Sequence, residues 1–134
     1  MGFDLGEELG SNEVAEVEGV WIPLGDGGSI KVARLGNKEA QAAYRKIPRE
    51  MRRLIETGKM DNKQAINFLA SFLSGNILKD WKGLVDKGKS LPKYSPEEGA
   101  KMMKKYRRFR EKVWELSAED DNFNVDEVEQ DVKN

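Results

Sequence analysis

The strongest constraint in this chain is an apolar recurrence in its middle. Ala65, Phe68, Leu69, Phe72, Leu73, Ile77, Leu78, Trp81 and Leu84 fall at steps of three and four residues. That spacing lines one face of an α-helix. It predicts a central core helix over 61–84, with Asp61 as its cap. Gly75 inside it costs about 1 kcal/mol relative to alanine, and a close helix crossing is the ordinary reason for such a glycine.

Punctuation places the other helices. Asn37 is an N-cap with Glu39 in the first turn, and Ala40, Ala43, Tyr44 and Ile47 give an apolar face. Pro48 forbids an unkinked continuation, and a second piece from Arg49 to Thr57 stops at Gly58. Helical structure is therefore expected over 37–57, in two parts. Ser95-Pro96-Glu97-Glu98 opens another helix: serine caps, proline takes the first position, and Glu98 completes a capping box. Met102, Met103, Tyr106, Phe109, Val113, Trp114 and Leu116 form its stripe over 96–118, flanked by seven lysines and arginines from Lys101 to Lys112. A break near Lys104 to Arg108 stays open. The stripe reads as core in the first place, and as a partner or membrane face in the second.

Ahead of the helices, Gly19 to Leu24 is strand-like, Gly25-Asp26-Gly27-Gly28 is turn chemistry, and Ser29 to Leu35 alternates apolar with polar. This predicts a β-hairpin over 19–35. Pro23 has no N–H for a ladder, so it belongs at an edge or a bulge. A lone hairpin is marginal in water and must pack on helices. Neither glycine-rich stretch is a phosphate loop. The hairpin turn lacks the G-K-[ST] ending, and Gly88-Lys89-Ser90 sits in an expected loop (87–93) with no preceding strand or correctly spaced upstream glycine.

Charge is segregated. Residues 1–18 hold six acids and no base, and residues 119–134 hold seven acids and only Lys133. The remaining body holds 11 acids against 22 bases, a net of +11. Either the acidic ends fold back onto the body, or the body meets an acidic partner, or the body is simply a solvated charged surface with two solubilising tails. The ends, 1–17 and 119–134, read as disordered tails around one globular domain at 18–118. The cluster Arg45, Lys46, Arg49, Arg52 and Arg53 lacks interleaved aromatics for base stacking, so a solvated helix face is favoured over nucleic-acid binding. The chain has neither histidine nor cysteine, which removes the usual general base, the commonest zinc ligands and any disulfide. No paired carboxylates lie in an apolar setting, so no enzymatic activity and no cofactor or metal are expected. No apolar run approaches a membrane span, and the acidic start lacks the pattern of a signal peptide.

Several motifs, taken in order, resemble the tail assembly chaperones of long-tailed (siphovirus-type) bacteriophages and prophages. Gly19-Val20-Trp21 leads into a strand, a Gly-Asp-Gly turn, Ile30 to Arg34, and Gly36-Asn37. A helical middle ends in Leu78-Lys79-Asp80-Trp81-Lys82-Gly83. Gly88-Lys89, Pro92, Tyr94, Ser95, Pro96 and Glu97 follow, then a helix with Phe109, Val113 and Ala118. The likeness covers about residues 19–123, and the basic run Lys101 to Lys112 and Gly99 depart from it. It implies a non-enzymatic protein that binds the tape measure protein, keeps it soluble and helps recruit tail tube subunits. Such proteins act in the host bacterial cytoplasm and are absent from the mature virion. Many have a longer form made by programmed frameshifting, and Val132-Lys133-Asn134 is compatible with a slippery codon run.

The fold expected is α+β and predominantly α-helical, with a small N-terminal β-hairpin packed on four or five helices. Trp81, Tyr94, Met102, Met103, Tyr106, Phe109 and Trp114 are the candidate partner-binding residues. The partners expected are the tape measure protein and the tail tube protein, with self-association open. The rival readings are a basic-patch nucleic-acid-binding module and a minor or tail-completion component of the virion.

Overall fold

The computed structural model describes residues 2–10 and 12–123. The architecture is the helix-dominated α+β one that the patterning predicts. In chain order come α1 (Leu5–Leu9), α2 (Glu13–Glu18), β1 (Val20–Gly25), β2 (Gly28–Val32), α3 (Lys38–Arg45), α4 (Arg49–Glu56) and α5 (Lys63–Phe72). A π-helical turn (Leu73–Ile77) then leads into β3 (Leu78–Lys82), β4 (Val85–Asp86) and β5 (Lys89–Ser90). Two helices, α6 (Pro96–Lys105) and α7 (Arg107–Ala118), precede a 3-10 turn at Asp120–Phe123.

The hairpin forms as its residues dictate. Gly25, Asp26 and Gly27 all take positive φ in the turn. β1 is the edge of a three-stranded antiparallel sheet, β1-β2-β3, and its register shifts between Pro23 and Gly25. Pro23 thus sits at an edge and beside a bulge, where its missing N–H does least harm. Ile30 and Val32 of β2 point into the main core with Leu69, Phe72, Leu73, Ile77, Met103 and Val113.

The predicted helix over 61–84 is only half a helix. Asn62, not Asp61, caps α5, its side chain accepting from the Ala65 N–H at 3.1 Å. After Phe72 the chain widens into the π turn and then becomes β3, so Asp80 and Trp81 stand on a strand. A bulge explains the misreading. The β2–β3 register runs Lys31 to Asp80 and then Val32 to Leu78, leaving Lys79 as an extra residue. In a regular strand, residues three apart face opposite sides. The bulge brings Leu78 and Trp81 to the same side, and both are buried. A helical spacing was therefore satisfied by a bulged strand. Gly75 has open space where a Cβ would be, so no close helix crossing explains it.

The segment 78–100 is a lock. The Asp80 carboxylate accepts from the Trp81 N–H at 2.8 Å, and Trp81 Nε1 donates to the Pro92 carbonyl at 2.9 Å. Tyr94 stacks edge-on against Trp81 with centroids 4.9 Å apart. Its hydroxyl lies 2.5 Å from the Ser74 carbonyl and 2.9 Å from that of Leu78. These carbonyls sit where the helix ends, so the phenol supplies a donor the backbone there lacks. Burial pushes the Tyr94 phenol well above its ordinary pKa. Residues 87–93, expected as plain loop, include β5, which pairs with β4 as a second small hairpin. Ser95 caps α6, its Oγ accepting from the Glu98 N–H at 3.2 Å. The stripe over 96–118 does break: Tyr106 is extended (φ −119°, ψ 104°) between α6 and α7.

The acidic ends partly fold back. Ala15, Val20 and Phe123 form a small second core. Arg34 joins both ends, with Nη1 2.8 Å from Glu16 and Nη2 2.8 Å from Asp120. Within the stretches read as disordered, 1–17 and 119–134, the structure places α1, most of α2 and the 3-10 turn, and burial of Ala15 and Phe123 repays the ordering of 13–17 and 120–123. Residues 124–134, with Val125, Val128, Val132 and Lys133 of the acidic tail, lie outside the described residues.

Candidate partner-binding surface

The seven candidate residues separate by burial. Met103 is fully buried, and Met102 and Trp81 are 8% and 7% exposed. Tyr94 is half-buried and bonded to the end of the helical middle. Met102, Met103 and Trp81 pack inside the core and Tyr94 is held at its edge, so the accessible part of the candidate set is Tyr106, Phe109 and Trp114. Tyr106 is 36% exposed, and Phe109 and Trp114 are half-buried. The Tyr106 hydroxyl donates to Asp86, and Lys105 Nζ lies 2.7 Å from the same carboxylate. The kink between α6 and α7 is thereby tied to the β4–β5 hairpin.

Trp114 is the centre of what remains. Its ring lies 6.3 Å from Tyr44, which packs on Phe72 at 5.3 Å. On one side of Trp114 a cleft of about 620 Å³ opens between the end of α4, the loop at 58–61, Leu69 of α5, and α7. Ile55, Met60, Leu69 and Trp114 supply its apolar wall. On the other side lies a smaller cleft of about 370 Å³, which includes Arg34, Tyr44 and Asp120.

The larger cleft is charged in a particular way. Lys59, Arg107 and Arg110 line it, with Asp61 and Glu111. Arg107 is matched by Glu111, 3.5 Å away one helical turn on. Arg110 is different: it is 4% exposed, and its side-chain Nη1 donates to the Met103 carbonyl at 2.9 Å. No carboxylate pairs with it among the described residues. Burial pulls the guanidinium below its ordinary pKa, while Glu111 pulls it the other way. A nearly buried cation with spare N–H donors, set beside a tryptophan, is suited to receive a carboxylate carried on an apolar segment. Sequence reasoning picked out Trp114 but not Arg110, which reads in the chain as one of a run of exposed bases. Its burial follows from the kink at Tyr106, which sets the phase of α7 independently of α6.

No helix among the described residues is long and apolar enough to cross a membrane. The geometry thus defines a small helix-dominated α+β domain carrying an apolar cleft with a basic side. The family described as YdaY prophage protein matches residues 35–134, 100 of the 134 residues, and the chain belongs to that family. The match begins after β2, so the N-terminal segment and the β1–β2 hairpin lie outside it. No curated protein and no solved structure matches the chain.

Proposed function

We propose that this prophage protein is a tail assembly chaperone: it binds the tape measure protein, keeps that long helical polypeptide soluble, and helps recruit tail tube subunits. On this reading it acts in the host cytoplasm, leaves before the virion matures, and has a longer frameshifted form. The observation that carries it is membership of a prophage family over three quarters of the chain, joined to the ordered motifs from Gly19 to Ala118 that resemble such chaperones. The cleft at Trp114 offers the client an apolar surface with a cationic side, which suits reversible, salt-sensitive binding.

The test is co-expression with the tape measure protein of the same prophage. The soluble fraction of that client rises with the chain present and falls back with a folded Phe109→Ala/Trp114→Ala variant. Full solubilisation by that variant, or recovery of the chain from purified particles, overturns the proposal. The latter result favours a minor virion component. A gel shift with duplex DNA that weakens steeply with salt favours the nucleic-acid reading instead.

A further inference from the structure

The structure leaves one segment with no place to put its apolar side chains. Phe3, Leu5, Leu9 and Val14 are 69%, 68%, 70% and 63% exposed, and α1 buries none of its residues. Elsewhere among the described residues only Val85 matches this exposure. Leu5 and Leu9 are one helical turn apart and share a face of α1. Asp4, Glu7 and Glu8 accompany them, and no base lies in residues 1–18. This is an acidic, apolar arm. The cleft between α4, α5 and α7 has the complementary character: Ile55, Met60, Leu69 and Trp114 for leucines, Lys59 and Arg110, unpaired among the described residues, for carboxylates. At about 620 Å³ it is within the size range of ordinary ligand sites, about 300–1,000 Å³.

We propose that the arm of one chain, residues 3–9, docks in the Trp114–Arg110 cleft of a second copy. The interface is heterologous, arm to cleft, because the two surfaces are different parts of the molecule. Leu5 and Leu9 lie on the apolar wall, and Glu7 or Glu8 meets Arg110 and Lys59. Docking removes the exposed leucines from water and gives the buried guanidinium a carboxylate, which no described residue supplies. A free chain then presents an open arm at one end and an open cleft at the other, so further copies can add. The inference concerns self-association; because the proposed client uses the same Trp114 cleft, arm and client compete for it, and the arm variants test association without altering that cleft.

The experiment is sedimentation equilibrium of the full chain, with circular dichroism to confirm folding of each variant. Wild type associates with concentration, more weakly as salt rises. Leu5→Asp/Leu9→Asp removes the arm, and Lys59→Glu/Trp114→Ala removes the cleft. Each variant alone has an apparent Kd raised about tenfold or more. Mixed together they form a 1:1 pair that does not grow, since one functional cleft and one functional arm remain. Glu7→Lys/Glu8→Lys weakens association, and adding Lys59→Glu restores part of it. A wild type that stays monomeric at every concentration overturns the proposal. So does association that the arm variants leave unchanged, or a mixture of the two single-surface variants that fails to pair.

Discussion

Gly99 lies in α6 and faces the Tyr94 ring. A Cβ there would stand 2.7 Å from Tyr94 Cε2, 2.8 Å from its hydroxyl and 3.1 Å from Cζ. Two effects oppose one another in Gly99→Ala. Alanine is favoured over glycine in a helix interior by about 1 kcal/mol. Against this, the ring has nowhere to go: it is held edge-on by Trp81 and its hydroxyl is placed between two carbonyls. Overpacking of this kind costs about 1–3 kcal/mol, and losing a buried hydrogen bond adds about 1 kcal/mol. The clash wins, and we expect net destabilisation of about 1–3 kcal/mol, a fall in Tm of several degrees. Tyr94→Leu removes all three clashing atoms. In that background the same Gly99→Ala substitution stabilises by about 0.4–1 kcal/mol. The sign therefore reverses between backgrounds, and a double-mutant cycle by urea denaturation, followed by tryptophan fluorescence, measures the coupling. A Gly99→Ala variant more stable than wild type, or the same effect in both backgrounds, refutes the reasoning.

Other consequences follow from the second core and from Tyr44. Phe123→Ala empties the centre of the Ala15–Val20–Phe123 cluster and should cost about 3–5 kcal/mol, with limited proteolysis cutting first near residues 12–19. Retention of wild-type stability on urea denaturation would show that the fold-back at 120–123 contributes nothing. Burial, and then Glu56, whose carboxylate accepts from the phenol at 3.2 Å, push the Tyr44 pKa from 10.0 up to about 12. The folded chain thus keeps a proton that the unfolded chain releases above pH 10, so this contribution to stability is intact below pH 10 and declines from there to about pH 12. Denaturation midpoints across that window should fall less steeply for Tyr44→Phe, and an unchanged slope would discount the Tyr44 environment.

Local signals were legible wherever the chemistry is local. Asn37 caps α3, Pro48 separates α3 from α4, Ser95 opens α6, and the glycine turn closes the hairpin. Each depends on groups within four residues and needs no knowledge of the rest of the chain. The mistaken stretch is the one where a distant partner decides. Leu78 to Lys82 keep a helical apolar spacing, yet they pair with β2, some 50 residues earlier, through a bulge. Nothing nearby in sequence reports that a sheet edge is waiting there.

The candidate surface divides along the same line. By itself, the sequence determined a basic body with acidic ends, an apolar stripe from Met102 to Leu116, and the absence of histidine and cysteine. Composition and periodicity are properties of the chain and survive any packing. Only the tertiary structure decided that Met102, Met103 and Trp81 are enclosed, that Trp114 is left at a cleft, and that Arg110 faces it with no carboxylate paired to it among the described residues. Burial is set by which elements meet, and here the kink at Tyr106 and the strand at 78–82 set it.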